Sequence, residues 1–158
     1  MTRNVKYSRF SWSLTAILLV GAIAGSIYFR RGTWVLPTLV AVLALMVLSV
    51  LFYAPLAVMA DDEDITIVSA VRRHRIPLRA VASVKLFQPT MGAVRVCGSG
   101  GLMGYWGLFS ENDIGRYFAY YGKASDCFLV VLKNGKKYVL GCEDPEEMVA
   151  YIESRLKA

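Results

Sequence analysis

The first sixty residues contain two long apolar runs that carry no charged side chain. The first run covers residues 11–29 and the second covers residues 32–60, and two arginines separate them. An uncharged apolar stretch of about 18 or more residues is long enough to cross a bilayer as a helix. In lipid, its backbone groups must find their hydrogen-bond partners within the segment. The pattern therefore predicts a transmembrane hairpin with spans at about residues 12–29 and 34–53.

A cleaved signal peptide is the alternative interpretation of the first span. Ala22 and Ala24 flank Ile23 in a small-residue pattern that resembles a cleavage site after a basic segment. The apolar run continues beyond this pattern as far as Phe29, which favours an uncleaved helix.

The distribution of Lys and Arg predicts that both termini lie in the cytoplasm. Basic side chains favour the cytoplasmic side when they lie in short segments beside the spans. The N-terminal tail and the segment after the second span carry more of them than the predicted hairpin connection does. The residues concerned are Arg3, Lys6 and Arg9 in the tail, Arg72, Arg73, Arg75 and Arg79 after the second span, and Arg30 and Arg31 in the connection.

The net charge of +6 does not indicate a nucleic-acid ligand. All 12 acidic residues and most of the 18 basic residues lie in residues 61–158, so this part of the chain is close to neutral. The basic surplus lies beside the spans, where it orients the hairpin and meets anionic lipid. Membrane lipid is therefore an expected partner. No basic stripe interleaved with aromatic residues is present, so nucleic acid is not expected.

One local cluster of basic residues follows the second span, and it has two interpretations. Arg72, Arg73, Arg75 and Arg79 form either a solvated strand edge or a patch for anionic headgroups or an acidic protein partner. The acidic run 61–64 just before it predicts a solvated linker, because its spacing does not match that of a calcium-binding loop.

From residue 61 onward the pattern changes to short strands separated by turn signals. The strands alternate apolar and polar positions or are apolar throughout, as half-buried and buried strands do. We predict a domain over residues 61–158, preceded by the tail and hairpin of residues 1–60. The predicted strands are residues 65–70, 72–77, 84–87, 105–109, 116–121, 127–132 and 137–141.

Two signals near the end of the chain predict a hairpin and a closing helix. Asn134-Gly135 favours a type I′ turn, because this dipeptide adopts the positive φ angles that the turn requires. Asp144 is placed as the helix N-cap and Pro145 in the first turn, and Glu147 is placed to complete a capping box. The apolar residues of the helix form one stripe, which predicts packing against the sheets.

The glycine-rich segment 98–107 is the most unusual local feature of the domain. It lacks the Gly-Lys-Ser/Thr of a P-loop, and Met103 stands where the dinucleotide-binding pattern requires glycine. We expect a long flexible loop that leads into a strand. The alternative is a mobile loop that presents Leu102, Met103, Tyr105 and Trp106 to a partner or to the membrane interface.

Gly21 and Gly25 form a small-residue pair in the first span. Glycines four residues apart allow a second helix to approach closely. The second helix is either the other half of the hairpin, which is the favoured interpretation, or another copy of the chain. The sequence thus leaves a homo-oligomer open.

The sequence offers no basis for a catalytic centre. It has one histidine, and its three cysteines, Cys97, Cys127 and Cys142, show no metal or redox spacing, which is typical of free thiols in a reducing compartment. No carboxylate pair or base–nucleophile arrangement is apparent. We therefore expect no enzymatic activity, no cofactor and no metal site.

Several segments of the domain resemble the bacterial PH-domain family, whose fold is pleckstrin-homology-like. These are the glycine-aromatic segment 95–109, residues 115–121, the Asn134-Gly135 turn and residues 143–146. The resemblance implies a mainly-β PH-like barrel of about seven antiparallel strands plus one C-terminal helix, in a bacterial membrane setting. Members often carry two transmembrane helices ahead of the barrel. The resemblance implies no particular activity.

The expected function is that of a non-catalytic, membrane-tethered binding module that recruits or steadies a protein partner at the bacterial inner membrane. One alternative is recognition of anionic lipid headgroups by the basic patch. Eukaryotic proteins of similar fold commonly bind phosphoinositides near their first two strands, where Arg72, Arg73 and Arg75 occupy a comparable position. Another alternative is an accessory subunit of a membrane complex that acts through the transmembrane hairpin.

Overall fold

The computed structural model describes residues 1–28, 34–90 and 92–156. The predicted hairpin connection, with Arg30 and Arg31, lies outside the described residues. The described elements are three α-helices, α1 (Arg9–Tyr28), α2 (Val35–Tyr53) and α3 (Pro145–Leu156), and ten strands, β1 (Thr2–Asn4), β2 (Ala57–Ala60), β3 (Asp64–Val68), β4 (Arg73–Pro77), β5 (Val81–Leu86), β6 (Val94–Gly101), β7 (Gly104–Glu111), β8 (Gly115–Tyr121), β9 (Cys127–Leu132) and β10 (Lys137–Gly141).

The strands form two sheets, which we call the first sheet (order β1-β2-β3-β4) and the second sheet (order β5-β9-β10-β8-β7-β6). All seven predicted strands are present, and the prediction missed β1, β2 and β6. Two of these are too short for a periodic pattern to be visible, and the glycines of β6 lower its strand propensity. The expectation of antiparallel strands throughout was also wrong, because β8 and β10 pair in parallel.

The two long helices have the apolar surfaces that the sequence predicted. By length and composition α1 could cross a membrane. Within its most apolar continuous stretch of 18 residues, 6% of the residues are buried. The described apolar part of the second helix, Pro37–Tyr53, is shorter. Pro37 lies in the first turn of α2, where its missing N–H breaks no intrahelical hydrogen bond.

The N-terminal tail joins the base of the helices to the first sheet. β1 pairs antiparallel with β2, and the Val5 amide extends the pairing by donating to the Leu56 carbonyl at 2.9 Å. The sheet therefore includes residues on both sides of position 61, where the sequence analysis begins the domain. The Tyr7 hydroxyl donates to the Pro55 carbonyl at 2.5 Å, and burial raises the pKa of Tyr7 to about 12. Helix α1 thus begins, and helix α2 ends, at one anchored base.

The main hydrophobic core lies between the two sheets and under α3. Alternate residues of the first sheet point inward and meet the apolar stripe of α3, as the sequence predicted for this helix. Burying one such side chain stabilises the fold by roughly 1.5–3 kcal/mol. The fully buried members include Val58, Ile65, Ile67 and Ile76 from the first sheet, Phe128, Val130 and Leu140 from the second, and Met148 and Ile152 from α3.

The start of α3 differs from the predicted capping box. Arg3 of β1 forms an ion pair with Asp144 at 3.3 Å and a second one with Glu147. Asp144 adopts a φ of +51°, and its carbonyl accepts the first intrahelical bond from the Met148 amide. The two carboxylates are therefore held by a residue far away in sequence, which local spacing could not reveal.

The turn between β9 and β10 is a hairpin as predicted, but not of type I′. Gly135 has a positive φ of +80°, and Asn134 does not. The Gly135 amide donates to the Leu132 carbonyl, and the Leu132 amide donates to the Lys136 carbonyl. This is a three-residue loop with glycine in the left-handed position. The hairpin therefore needs one glycine where the prediction assumed two positive φ angles.

The β6–β7 hairpin bends sharply at two facing glycines. Gly98 and Gly107 pair directly, and their φ angles are +119° and +118°. A Cβ on Gly98 would overlap the Trp106 carbonyl oxygen, and a Cβ on Gly107 would overlap that of Cys97. The two backbones cross too closely for any side chain, so the half of the hairpin beyond the bend folds toward α1. The prediction of a long flexible loop here was wrong.

His74 of β4 fills the corner where the two sheets approach each other. Its ring lies 6.1 Å from that of Tyr120 and 5.7 Å from that of Tyr138. Burial lowers the pKa of His74 below its usual value, and the nearby charge of Arg72 lowers it further. The imidazole is therefore neutral at physiological pH and serves as a packing group.

Gly98→Ala and Gly107→Ala should each lower the free energy of unfolding by about 2–4 kcal/mol, because each adds a backbone clash to a strained φ. Gly100→Ala in the same strand is the matched control, since its Cβ would meet its nearest neighbours at 3.8 Å or more. Denaturant unfolding of the full chain in detergent would measure the difference. An equally large effect of Gly100→Ala would contradict the bend as the cause.

The stability of the wild-type protein should fall between pH 7.5 and 5.5. Since the pKa of His74 is lower in the folded state, the unfolded state binds more protons below about pH 6.5 and folding is opposed there. His74 is the single histidine of the chain, so His74→Phe should remove most of this pH dependence. Thermal unfolding at the two pH values checks it, and an unchanged slope in the variant would refute it.

Candidate binding surfaces

The structure divides the predicted basic patch instead of gathering it. Arg73 and Arg75 lie two residues apart on β4 and share its outer, exposed face. Arg72 lies outside this strand, with its guanidinium 5.9 Å from the centre of the Tyr53 ring at the end of α2. Arg79 lies in the short helical turn after β4. Only Arg73 and Arg75 therefore form a pair.

An open groove of about 540 Å³ runs beside Arg73 and Arg75. It is also lined by the acidic run 61–64 and by Tyr151 and Arg155 of α3. Arg155 forms an ion pair with Asp62 at 3.1 Å. The groove is therefore lined by both signs of charge, with basic side chains along β4.

Residues 61–63 of the acidic run form a tight turn between β2 and β3, and the prediction of a linker was wrong. The Asp61 carboxylate accepts hydrogen bonds from the amides of Asp64 at 2.7 Å and Glu63 at 3.0 Å. These two bonds hold the pKa of Asp61 below its usual value, and the charge of Arg75 contributes to the same effect. A second groove on the far side of the turn contains Arg79. The acidic turn thus separates Arg79 from Arg73 and Arg75.

The predicted glycine-loop residues lie at and near the tip of the bent β6–β7 hairpin. Leu102 and Met103 form the tip, and the Met103 amide donates to the Thr15 hydroxyl of α1 at 3.3 Å. The Trp106 indole donates to the Leu102 carbonyl at 3.2 Å, and its ring stacks on Tyr53 of α2 at 5.6 Å. Trp106 is 8% exposed. The contacts of this segment are therefore with the chain's own helices.

Tyr105 faces the domain and not the helices. Its ring stacks on that of Tyr121 at a centroid distance of 4.9 Å. The four residues predicted as one binding loop therefore have different surroundings. Leu102 and Met103 form the tip beside the helices. Trp106 stacks on Tyr53 of α2, and Tyr105 stacks on Tyr121 of the domain.

Arg95 is a residue that the sequence analysis did not single out. It lines an apolar cavity of about 400 Å³ between the bent hairpin and the two helices. A Cβ on Gly100 would lie 3.8 Å from its terminal nitrogen Nη1, so its side chain runs past the glycine toward the helices. No sequence signal marks it, because Arg95 and Gly100 come together only in the folded hairpin.

The two glycines of the small-residue pair in α1 have different surroundings. A Cβ on Gly25 would contact Leu39 of α2 at 3.8 Å, whereas one on Gly21 would meet no atom within 4 Å. Gly25 therefore faces the other helix of the hairpin, and Gly21 borders open space.

The three cysteines of the chain differ in exposure. Cys97 of β6 is exposed, and Cys127 and Cys142 are buried. Burial raises the pKa of Cys142 to about 12, which leaves that thiol protonated and unreactive. Within residues 1–28, 34–90 and 92–156, no group of three or more His, Cys, Asp or Glu side chains is arranged to hold a metal ion.

The comparison with known proteins agrees with this architecture of two sheets and a closing helix. No curated protein and no solved structure matches the chain. The sequence profile described as the bacterial PH domain matches residues 56–156, a range that begins just before β2 and ends with α3. The chain therefore belongs to the bacterial PH-domain family.

Proposed function

We propose that the protein is a non-catalytic binding module that is held at the bacterial inner membrane by α1 and α2 and keeps a protein partner close to the bilayer. A domain of this family supports a binding or scaffolding role in general. Both termini lie in the cytoplasm in this proposal, on the side favoured by the basic residues that flank the spans.

The exposure of α1 is the observation that carries the membrane tether. Nearly all of its apolar surface is uncovered, while the core residues of the domain are buried. A soluble protein rarely leaves an apolar surface of this extent in water. A bilayer covers such a surface along the whole length of a helix of 20 residues.

The anchored base of the helices supports a role in positioning. The tail strand β1, the hydroxyl of Tyr7 and the stack of Trp106 on Tyr53 all join the helices to the domain. A domain mounted in this way cannot swing freely on a linker. A partner that it binds is therefore held at one height and in one orientation relative to the bilayer.

The outer face and edge of β4 are the partner site in this proposal. Among the described residues β4 is the last strand of the first sheet, so its outer edge offers backbone groups that can pair with an extended segment of another protein. Arg73 and Arg75 are exposed beside this edge and would face acidic side chains of the added segment. The adjoining groove of about 540 Å³ offers room for larger side chains.

Recognition of anionic lipid headgroups is the second candidate, and the position of Arg72 favours it. Arg72 lies over Tyr53 at the end of α2, which is the headgroup level if the helix spans the bilayer. A guanidinium near an anionic surface contributes about 1 kcal/mol of attraction. The two candidates use different arginines, so substitutions can separate them.

A membrane-impermeant maleimide should label Cys97 only after the inner membrane is opened. In intact spheroplasts the exposed thiol faces the cytoplasm and the charged reagent cannot reach it. Cys97→Ser is the control and should abolish labelling in the native protein, because the other two thiols are buried. Labelling in intact spheroplasts would place the domain on the other side, and release of the chain by alkaline carbonate would refute the tether.

A photo-crosslinking residue at position 75 should form a discrete protein adduct in intact membranes, and the same residue at Arg116, exposed on β8, should not. Arg73→Glu should lower the adduct yield about five-fold, because it removes an attraction of roughly 1 kcal/mol. Arg72→Gln should leave the yield unchanged. Adducts with lipid alone, lost on Arg72→Gln, would instead establish headgroup recognition.

A further inference from the structure

Two apolar cavities adjoin each other where the bent β6–β7 hairpin meets the helices. The smaller holds about 240 Å³ and the larger about 400 Å³, and both are lined by Leu18, Met46 and Leu102. The walls come from α1, α2 and the half of the hairpin beyond Gly98. Together they form a cleft along the apolar helices at the end nearest the domain, which we call the hairpin cleft.

Arg95 gives the hairpin cleft one charged end. It is the one charged side chain among the twelve described residues that line the larger cavity. The ion pairs among the described residues do not include Arg95. The side chain passes beside Gly100, with its Nη1 3.8 Å from where a Cβ on that residue would lie. A guanidinium without a carboxylate partner thus stands beside an apolar cleft.

We propose that the hairpin cleft binds one anionic glycerophospholipid of the surrounding bilayer, with an acyl chain against Leu18 and Met46 and the phosphate on Arg95. The planar guanidinium donates two parallel hydrogen bonds to a phosphate, which suits this headgroup. The apolar walls exclude water from the chain. The cleft is continuous with the helix surfaces that lie in lipid, so a bilayer lipid reaches it without crossing water.

The bend at the facing glycines supplies the hairpin wall of the site. The facing glycines at 98 and 107 turn the distal hairpin toward α1, and the Met103 amide then bonds to Thr15. The bound lipid would in turn fill the gap between hairpin and helices, and so stabilise the junction on which the orientation of the domain depends.

Native mass spectrometry of the full chain in mild detergent tests the proposal, with phosphatidylglycerol and phosphatidylethanolamine as the added lipids. The wild type should retain one phosphatidylglycerol and bind it more tightly than phosphatidylethanolamine. Arg95→Gln should weaken phosphatidylglycerol binding about ten-fold, since a hydrogen-bonded charge contact is lost. Arg116→Gln, an exposed arginine on β8, is the matched control and should change nothing.

Met46→Trp provides an independent variant, because its larger side chain narrows both cavities while keeping the helix apolar. It should displace the lipid even though Arg95 is intact. Equal binding by Arg95→Gln and Arg116→Gln, or the absence of a discrete bound lipid in the wild type, would overturn the proposal.

The lipid site rests on the membrane insertion proposed above, and the two can fail separately. Release of the chain by carbonate would remove both proposals. Stable insertion together with unaltered lipid binding by Arg95→Gln and Met46→Trp would overturn the lipid site alone, and would leave the tethered binding module in place.

Discussion

The pairing of the tail strand β1 with β2 is the constraint on which the rest of the structure depends. β1 precedes α1 and β2 follows α2, so their pairing closes the base of the two helices and joins it to the first sheet. The same tail supplies Arg3, which binds both carboxylates at the start of α3. The helices, the sheet and the closing helix are therefore joined through a few residues at one end of the chain.

The second constraint is the close crossing of Gly98 and Gly107, which directs the β6–β7 hairpin onto the helices. A stack of Trp106 on Tyr53 and a hydrogen bond from Met103 to Thr15 then connect hairpin and helices. The domain and the helices thus contact each other through both the tail and the hairpin. In the proposed function, this double connection takes the place of a flexible linker. A partner bound at β4 is therefore held in a fixed orientation relative to the bilayer.

The charged side chains of this protein act through local contacts. The net charge of the chain therefore says little about what it binds. Asp62 is paired with Arg155, and Asp61 is held by two backbone amides in its own turn. The arginines that form one cluster in the sequence lie in three different places in the structure. Arg72 lies at the end of α2, Arg73 and Arg75 lie on the outer face of β4, and Arg79 lies in the groove beyond the acidic turn. Arg95, which no pattern marks, is the basic residue in an apolar cleft.

The sequence by itself determined the two apolar helices, seven of the ten strands and the closing helix, because hydrophobic periodicity and turn residues act over short distances. It also carried the family resemblance, through its glycine-aromatic segment. Only the tertiary structure decided the pairing of β1, the parallel contact of β8 with β10, the partners of Asp144 and Glu147, and the bend that brings the tip of the β6–β7 hairpin to the helices. Each of these joins residues far apart in the chain, and their contact energies are set by the packed fold and not by any local pattern.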